Sequence, residues 1–371
     1  MTHRERTLAT LNYQLYDRLP LVHFGYWRET LLKWAAEGHI SAALAQEWND
    51  GNQCDLELNA LLGFDLCWMC VLGARTALQP GFTERVIERF PDGSYTQFMA
   101  DGVIVVAKPG VVSIPAEIDH LLKDRATWEE HYQPRLQFSL ERMPANLADP
   151  ALRQPAREFP RGLFCGSLFG VIRNWLGVEG SSYLYADDEP LFTEIIDTVG
   201  ELCFRCAQYV LAQGTQFDFL HFWEDICFKN GPLVIPSVFA EKVGPHYKRI
   251  TDLGRQHGIT LCSLDCDGMI DALIPTWLSN GVNVMFPIEV GTWDASIAPW
   301  RATYGKELRG VGGMNKTVFA HDRAAIDREV ARLKTLVDLG GFIPCPDHRI
   351  APDAIWDNVR YYCQRMREVF G

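Results

Sequence analysis

The chain has 371 residues, 47% hydrophobic and 22% charged, enough for a large buried core and too apolar for a disordered or fibrous protein. Its formal net charge is -12, from 35 basic and 47 acidic residues, which is the wrong sign for a general nucleic-acid or anionic-membrane binder. The 11 cysteines are odd in number and scattered, with Cys67, Cys70, Cys203, Cys206 and Cys262 in apolar runs, as expected of free thiols in a reducing cytoplasm.

The opening Met1–Arg6 is charged with no apolar run behind it, unlike a secretory signal, and no stretch is apolar enough to span a bilayer. Strands are predicted at Leu19–Phe24, Phe64–Met69, Arg161–Gly166, Phe217–Trp223, Gly258–Leu264, Val282–Pro287, Glu307–Gly312 and Gly341–Pro344. Helical stretches lie between the later ones, among them Lys248–His257, Asp322–Leu339 (ended by Gly340-Gly341) and a closing helix over Tyr361–Phe370. Eight short apolar strands alternating with helices predict a single α/β domain over 1–371, a (β/α)8 TIM-type barrel. Arg85–Ala107 breaks the alternation and reads as an antiparallel meander inserted after the second strand, while Pro144–Pro160 reads as a loop or short helix.

In such barrels the chemistry sits at the carboxyl ends of the strands, and those ends are unusually polar here. The first strand leads into His23-Phe24-Gly25-Tyr26-Trp27-Arg28, the fourth into Trp223-Glu224-Asp225, and the fifth into Asp265-Cys266-Asp267-Gly268. The last three lead to Glu289, Lys316 and Asp347-His348-Arg349. Carboxylates, a histidine and cations gathered at one mouth are costly without a metal, a charged substrate or mutual pairing. Each group also has a structural alternative. One of Asp265 and Asp267 could cap a helix, Glu224 or Asp225 could cap the helix ending near Lys229, and His348 could be a satisfied structural histidine. There is no Gly-x-Gly-x-x-Gly after a strand, no Walker-type Gly-Lys-Ser/Thr and no Gly-x-Ser-x-Gly elbow. Cys203-x-x-Cys206 has no matching second pair and reads as core.

An ordered series of short motifs resembles the uroporphyrinogen-decarboxylase-like superfamily. Arg4-Glu5-Arg6 with Asp17-Arg18-Leu19-Pro20 is similar to its N-terminal signature, and Phe222-Trp223-Glu224-Asp225 to Gly231-Pro232 is similar to its fourth-strand region. Gly281-Val282-Asn283 with Phe286-Pro287-Ile288-Glu289, and Gly340-Gly341-Phe342-Ile343 with Pro352-Asp353, continue the match along nearly the whole chain. The decarboxylase branch carries an Arg-Gln-Ala-Gly-Arg motif where this chain has His23–Arg28 with one arginine, so the resemblance is closer to the corrinoid and thiol methyltransferase branch.

That branch holds zinc with a His-x-Cys pair after the fifth strand and a cysteine after the eighth. The positions corresponding to them are Asp265, Asp267 and His348, a harder set that admits zinc, manganese or iron, with Glu289 as an additional ligand. The resemblance thus implies a cytoplasmic methyltransferase that moves a methyl group from a small methylated donor, such as a methoxylated aromatic, to a corrinoid. No Asp-x-His-x-x-Gly cobalamin pattern is present, so a partner protein would carry the corrinoid. In this reading Asp265, Asp267, His348 and Glu289 hold the metal, Glu224, Asp225 and His23 serve catalysis, and Tyr26, Trp27, Trp223, Lys316 and Arg349 line the substrate. A homodimer is as open as a monomer. The alternatives are a decarboxylase or lyase of a small organic acid or porphyrinogen-like substrate, with Lys316 or Arg349 as carboxylate anchor, and a non-enzymatic binding protein.

Overall fold

The computed structural model describes residues 1–108 and 115–371. Its strands are β1 (Val22–His23), β2 (Leu66–Cys67), β3 (Val71–Gly73), β4 (Arg85–Arg89), β5 (Tyr95–Phe98), β6 (Val103–Ala107) and β7 (Ala116–His120). The second half adds β8 (Gly162–Phe164), β9 (Phe219–Trp223), β10 (Cys227–Phe228), β11 (Gly231–Pro232), β12 (Leu261–Asp265), β13 (Val284–Phe286), β14 (Arg309–Met314) and β15 (Phe342–Pro346). All eight predicted parallel strands have an observed counterpart, and the second is split into β2 and β3.

Seven strands form a parallel sheet in the order β15-β14-β13-β12-β9-β8-β3, and β1 pairs in parallel with β2 beside it. The chain just beyond β1 also meets the chain just beyond β15. Ile350 N–H donates to Gly25 O at 3.0 Å and Trp27 N–H to Ile350 O at 3.1 Å. Strands β4 to β7 make a separate antiparallel sheet in sequence order, one strand longer than the three expected over 85–107. Helices Glu189–Ala212, Gly244–Gln256, Arg323–Val337 and Trp356–Phe370 account for the clearest amphipathic segments. Among the described residues no helix is long and apolar enough to cross a membrane.

The parallel strands divide their side chains cleanly by parity, because successive residues of a strand face opposite sides. Phe219, Leu261, Val284, Phe286, Val311, Ile343 and Cys345 join Val22, Phe24, Leu66 and Trp68 in one apolar cluster on the inner face. Leu220, Phe222, Cys262, Leu264 and Met285, one residue out of phase, join the larger cluster packed under the helices. Trp68 lies flat on Phe219 across the inner cluster, with ring centroids 4.7 Å apart. The same parity places His221, Asp265 and Asp347 on the inner face, two residues beyond Phe219, Ser263 and Cys345 respectively. Thus the strand bodies are apolar on both faces, and their inner faces turn polar only toward the carboxyl ends.

Candidate functional site

Three carboxylates meet at the ends of β9 and β12. Asp225, Asp265 and Asp267 each present an oxygen within 4.8 Å of the other two. Asp265 arrives by strand parity. Asp225 arrives by a backbone turn, with φ at 49° in the left-handed region that aspartate tolerates better than most residues. That turn is fixed from both sides: Arg173 donates to Asp225 O at 2.7 Å, and Asp267 N–H donates to Asp225 Oδ1 at 3.1 Å. Gly268 completes the loop at φ 87°, where a Cβ would stand 2.5 Å from Cys227 O.

His348 reaches the group from the loop after β15, with Nε2 3.3 Å from Asp267 Oδ2. Its ring stacks on Trp27 at 5.6 Å and tilts against Phe24 at 5.2 Å, which fixes its plane. The cluster is short of compensation. Asp265 is 3% exposed, and among the described residues no donor bonds either of its oxygens. Asp267 Oδ1 is likewise buried without a partner. Burial, followed by the charge of Asp267, pushes the Asp225 carboxyl up to about 7. Burial, followed by the charges of Asp225 and Asp267, pushes Asp265 well above the carboxylate range. Buried carboxylates held this way must either keep their protons or receive a cation. The donor set fits a divalent metal.

Several expected site residues do other work. Glu224, expected as a proton donor, is completely buried and caps the helix Gly170–Asp187, which is broken at Gly177. Its oxygens accept from Leu168 N at 2.8 Å, Phe169 N at 2.9 Å, Gly170 N at 2.7 Å and Ser167 Oγ at 3.1 Å, and also from the Tyr247 hydroxyl. It has no oxygen to spare, and a carboxylate is the natural partner of a helix N-terminus. Glu289 lies beside the cluster but accepts from Gly268 N at 2.5 Å and Thr292 Oγ1 at 2.8 Å, so both of the oxygens expected to bind metal are already bonded.

His23, expected in catalysis, is 0% exposed and belongs to another group, with Asp55 and Cys67. Its Nδ1 accepts from Gly25 N at 2.9 Å, which leaves the ring proton on Nε2, 3.5 Å from Asp55 Oδ1. Burial pushes its pKa down to about 3, so it is a neutral structural histidine. Tyr26, expected at the substrate, is buried between Trp34 and Trp48. The two cations proposed as carboxylate anchors are already paired. Arg349 binds both oxygens of Asp50, at 3.1 and 2.6 Å, and Lys316 Nζ stands 3.8 Å from Asp347 Oδ1.

Trp27 and Trp223 stay near the cluster. Trp27 covers His348, and Trp223, paired in register with Asp265, lines a cavity of about 790 Å³ with Phe164, Val171 and the chain from Val71 to Gly81. Two neighbours were missed. Buried Asp347 accepts from Gly291 N at 2.7 Å and Lys316 N at 3.1 Å, tying the loops after β13 and β14 to the residue before His348. His221 is 0% exposed, and among the described residues neither ring nitrogen has a hydrogen bond. Strand parity was the available signal for both, whereas nothing in the sequence marked Asp50 as the partner of Arg349.

No family model and no curated relative matches the chain. Among solved structures, a methyltransferase from Methanosarcina mazei superposes with a TM-score of 0.65 over 100% of this chain and 99% of that one, at 14% identity. The two share one fold. A B12-independent methionine synthase from Shewanella sp. matches 95% of this chain and 99% of that one at 10% identity, with a TM-score of 0.48. A putative vitamin-B12-independent methionine synthase from Listeria monocytogenes matches 58% of this chain and 66% of that one at 15% identity, with a TM-score of 0.36.

Proposed function

We propose that this protein is a metal-assisted methyltransferase, taking a methyl group from a small methylated donor and passing it to a corrinoid carried by a partner protein. The observation that carries the reading is the uncompensated carboxylate group of Asp225, Asp265 and Asp267, with His348 against it, at the strand ends of a fold shared with a methyltransferase. The eight parallel segments are taken as one closed barrel, so that these strand ends form its mouth.

A divalent metal there, zinc or a harder ion, would act as a Lewis acid on the heteroatom that loses its methyl group. Asp265, Asp267 and His348 would hold it. The chain's own residues do the rest. Trp27 and Phe24 keep the His348 ring in one plane, and Asp347 anchors the loop that presents it. The methyl carbon would form its new bond to the reduced, nucleophilic corrinoid acceptor as the carbon–heteroatom bond breaks, with that bond's electron pair left on the heteroatom, which takes a proton from water. The paired state of Lys316 and Arg349 leaves the lyase reading without its anchor.

The test is a spectroscopic assay of reduced free corrinoid with a panel of O-, N- and S-methyl compounds and added divalent metal. The expected result is donor-dependent methylation of the corrinoid that disappears in His348→Ala. Absence of transfer with every donor class, from folded and metal-loaded protein, would overturn the reading.

A further inference from the structure

Resting on the reading of this cluster as the working site, we propose that Asp225 joins Asp265, Asp267 and His348 as the third carboxylate ligand and that the cation the site takes is a hard, oxygen-preferring ion of the Mn2+ class. This replaces Glu289 by Asp225 in the ligand set that the sequence resemblance implied, and narrows the metal from zinc, manganese or iron to the hard end of that range.

The donor set is decided by which side chains are free. Glu289 has both oxygens bonded, to the Gly268 amide and the Thr292 hydroxyl, whereas Asp265 has neither bonded and Asp267 Oδ1 is buried and bare. Asp225 Oδ1 accepts one amide hydrogen bond, from Asp267 N, and among the described residues no cationic side chain pairs with its carboxylate. Arg173 is spent on the Asp225 carbonyl and Arg349 on Asp50. Three carboxylates therefore converge against a single imidazole. Asp265 is 97% buried by its exposure of 3%, and it reaches the group on the inner strand face with no hydrogen bond of its own. A buried carboxylate left bare in a packed protein is an expensive arrangement that a bound cation relieves.

Hardness follows from the thiols. Cys266 lies between two of the carboxylates in sequence but faces the other way, where its Sγ accepts from Ile226 N at 3.4 Å. Cys345 is fully buried in the inner apolar cluster, one position earlier on the inner face than Asp347. No sulfur joins the group of three. An oxygen-rich set with one imidazole suits manganese or magnesium-type ions far better than the soft sites that select zinc through thiolate. Irving–Williams ordering still lets zinc bind any such site tightly, so the ligand set has to be read directly, apart from raw affinity.

The test uses the full chain stripped of metal and titrated with Mn2+, following loss of the free-ion electron paramagnetic resonance signal. Co2+ loading reports separately on whether sulfur is a ligand. The expected result is binding of one Mn2+ per chain, weakened about tenfold or more by Asp225→Asn and by Asp265→Asn. Glu289→Gln, Cys266→Ser and Cys345→Ser should leave it within a factor of about two, and the Co2+ spectrum should lack a thiolate charge-transfer band. Thermal melts confirm that each asparagine variant is folded, and the isosteric changes open no cavity. Failure to bind Mn2+, a thiolate band with Co2+, or loss of binding in Glu289→Gln but not in Asp225→Asn would each overturn the proposal. Mn2+ binding with this ligand pattern but no methyl transfer would leave the site standing and defeat the methyltransferase reading alone.

Discussion

Glu224 and Asp265 are both buried carboxylates, one backbone hydrogen bond apart: Glu224 N–H donates to Asp265 O at 2.8 Å. They have opposite fates. Glu224 collects three amides and two hydroxyls at a helix terminus, while the Asp265 carboxylate collects no hydrogen bond among the described residues and shares its space with two other acids. Burial pushes both upward, but in Glu224 the Tyr247 hydroxyl and three amides oppose the rise, whereas in Asp265 the charges of Asp225 and Asp267 add to it and only Arg349 opposes it. Neither burial nor a shifted pKa therefore separates an acid committed to the protein's own hydrogen bonds from one left free to bind. What separates them is whether the hydrogen-bonding capacity is already filled.

The largest effect expected from this contrast is on folding. Glu224→Ala would leave the Tyr247 hydroxyl and three helix-start amides without their acceptor inside the protein. Each buried orphan costs about 1–3 kcal/mol, so a loss of at least about 3 kcal/mol is expected in chemical denaturation. Glu224→Gln should recover part of it. A Glu224→Ala protein that melts like the parent but has lost methyl transfer would reverse the contrast and return Glu224 to catalysis.

Asp265→Asn tests the other half. It removes a buried acid that has no hydrogen-bonded partner, so the metal-free protein should melt no lower than the parent, within about 1 kcal/mol. Activity should fall by about tenfold or more, because a carboxylate that fills no structural role is lost from the site. A large fall in melting temperature with activity retained per folded molecule would make Asp265 structural after all.

This contrast also explains what could be read in the sequence. The positions of all eight parallel strands were legible because each is a short apolar run between polar turns, and the resulting strand ends gave Asp265, Asp267 and His348. Strand parity correctly turned Cys266 away from them. Glu224 and Asp225 could not be told apart, since adjacent acids after a strand carry no label for the distant segment they meet. The donors that claim Glu224 come from 167–170 and 247, and the left-handed turn that swings Asp225 onto Asp267 is a tertiary outcome. The partners of His23 and Arg349 were illegible for the same reason: Asp55 and Asp50 lie in a connecting segment that showed no motif.

His221 sharpens the contrast at its smallest scale, as a buried group that is unpartnered yet neutral. It sits on the inner face among Phe164, Phe219 and Phe286, with ring centroids 6.3 to 6.4 Å away. Burial alone lowers its pKa to about 3. The unfolded chain takes up this proton near pH 6.5 and the folded chain does not, so between about pH 3 and 6.5 the unfolded state binds more protons and stability falls as the pH falls. At pH 5 that amounts to roughly 2 kcal/mol relative to pH 8, and buried His23 adds a similar slope of its own. His221→Phe keeps the ring and removes the proton. It should leave stability at pH 8 within about 1 kcal/mol of the parent and make the protein roughly 2 kcal/mol more stable than the parent at pH 5, a difference that cancels the opposing contribution of the raised Asp225 and Asp265 carboxyls common to both, measured by urea denaturation at the two values. An unchanged acid slope would mean that the His221 ring has a hydrogen-bonded partner that keeps its folded pKa near the ordinary value. A large loss of stability at pH 8 would mean that its nitrogens are satisfied inside the sheet, in which case His221 would belong with Glu224 and not with Asp265.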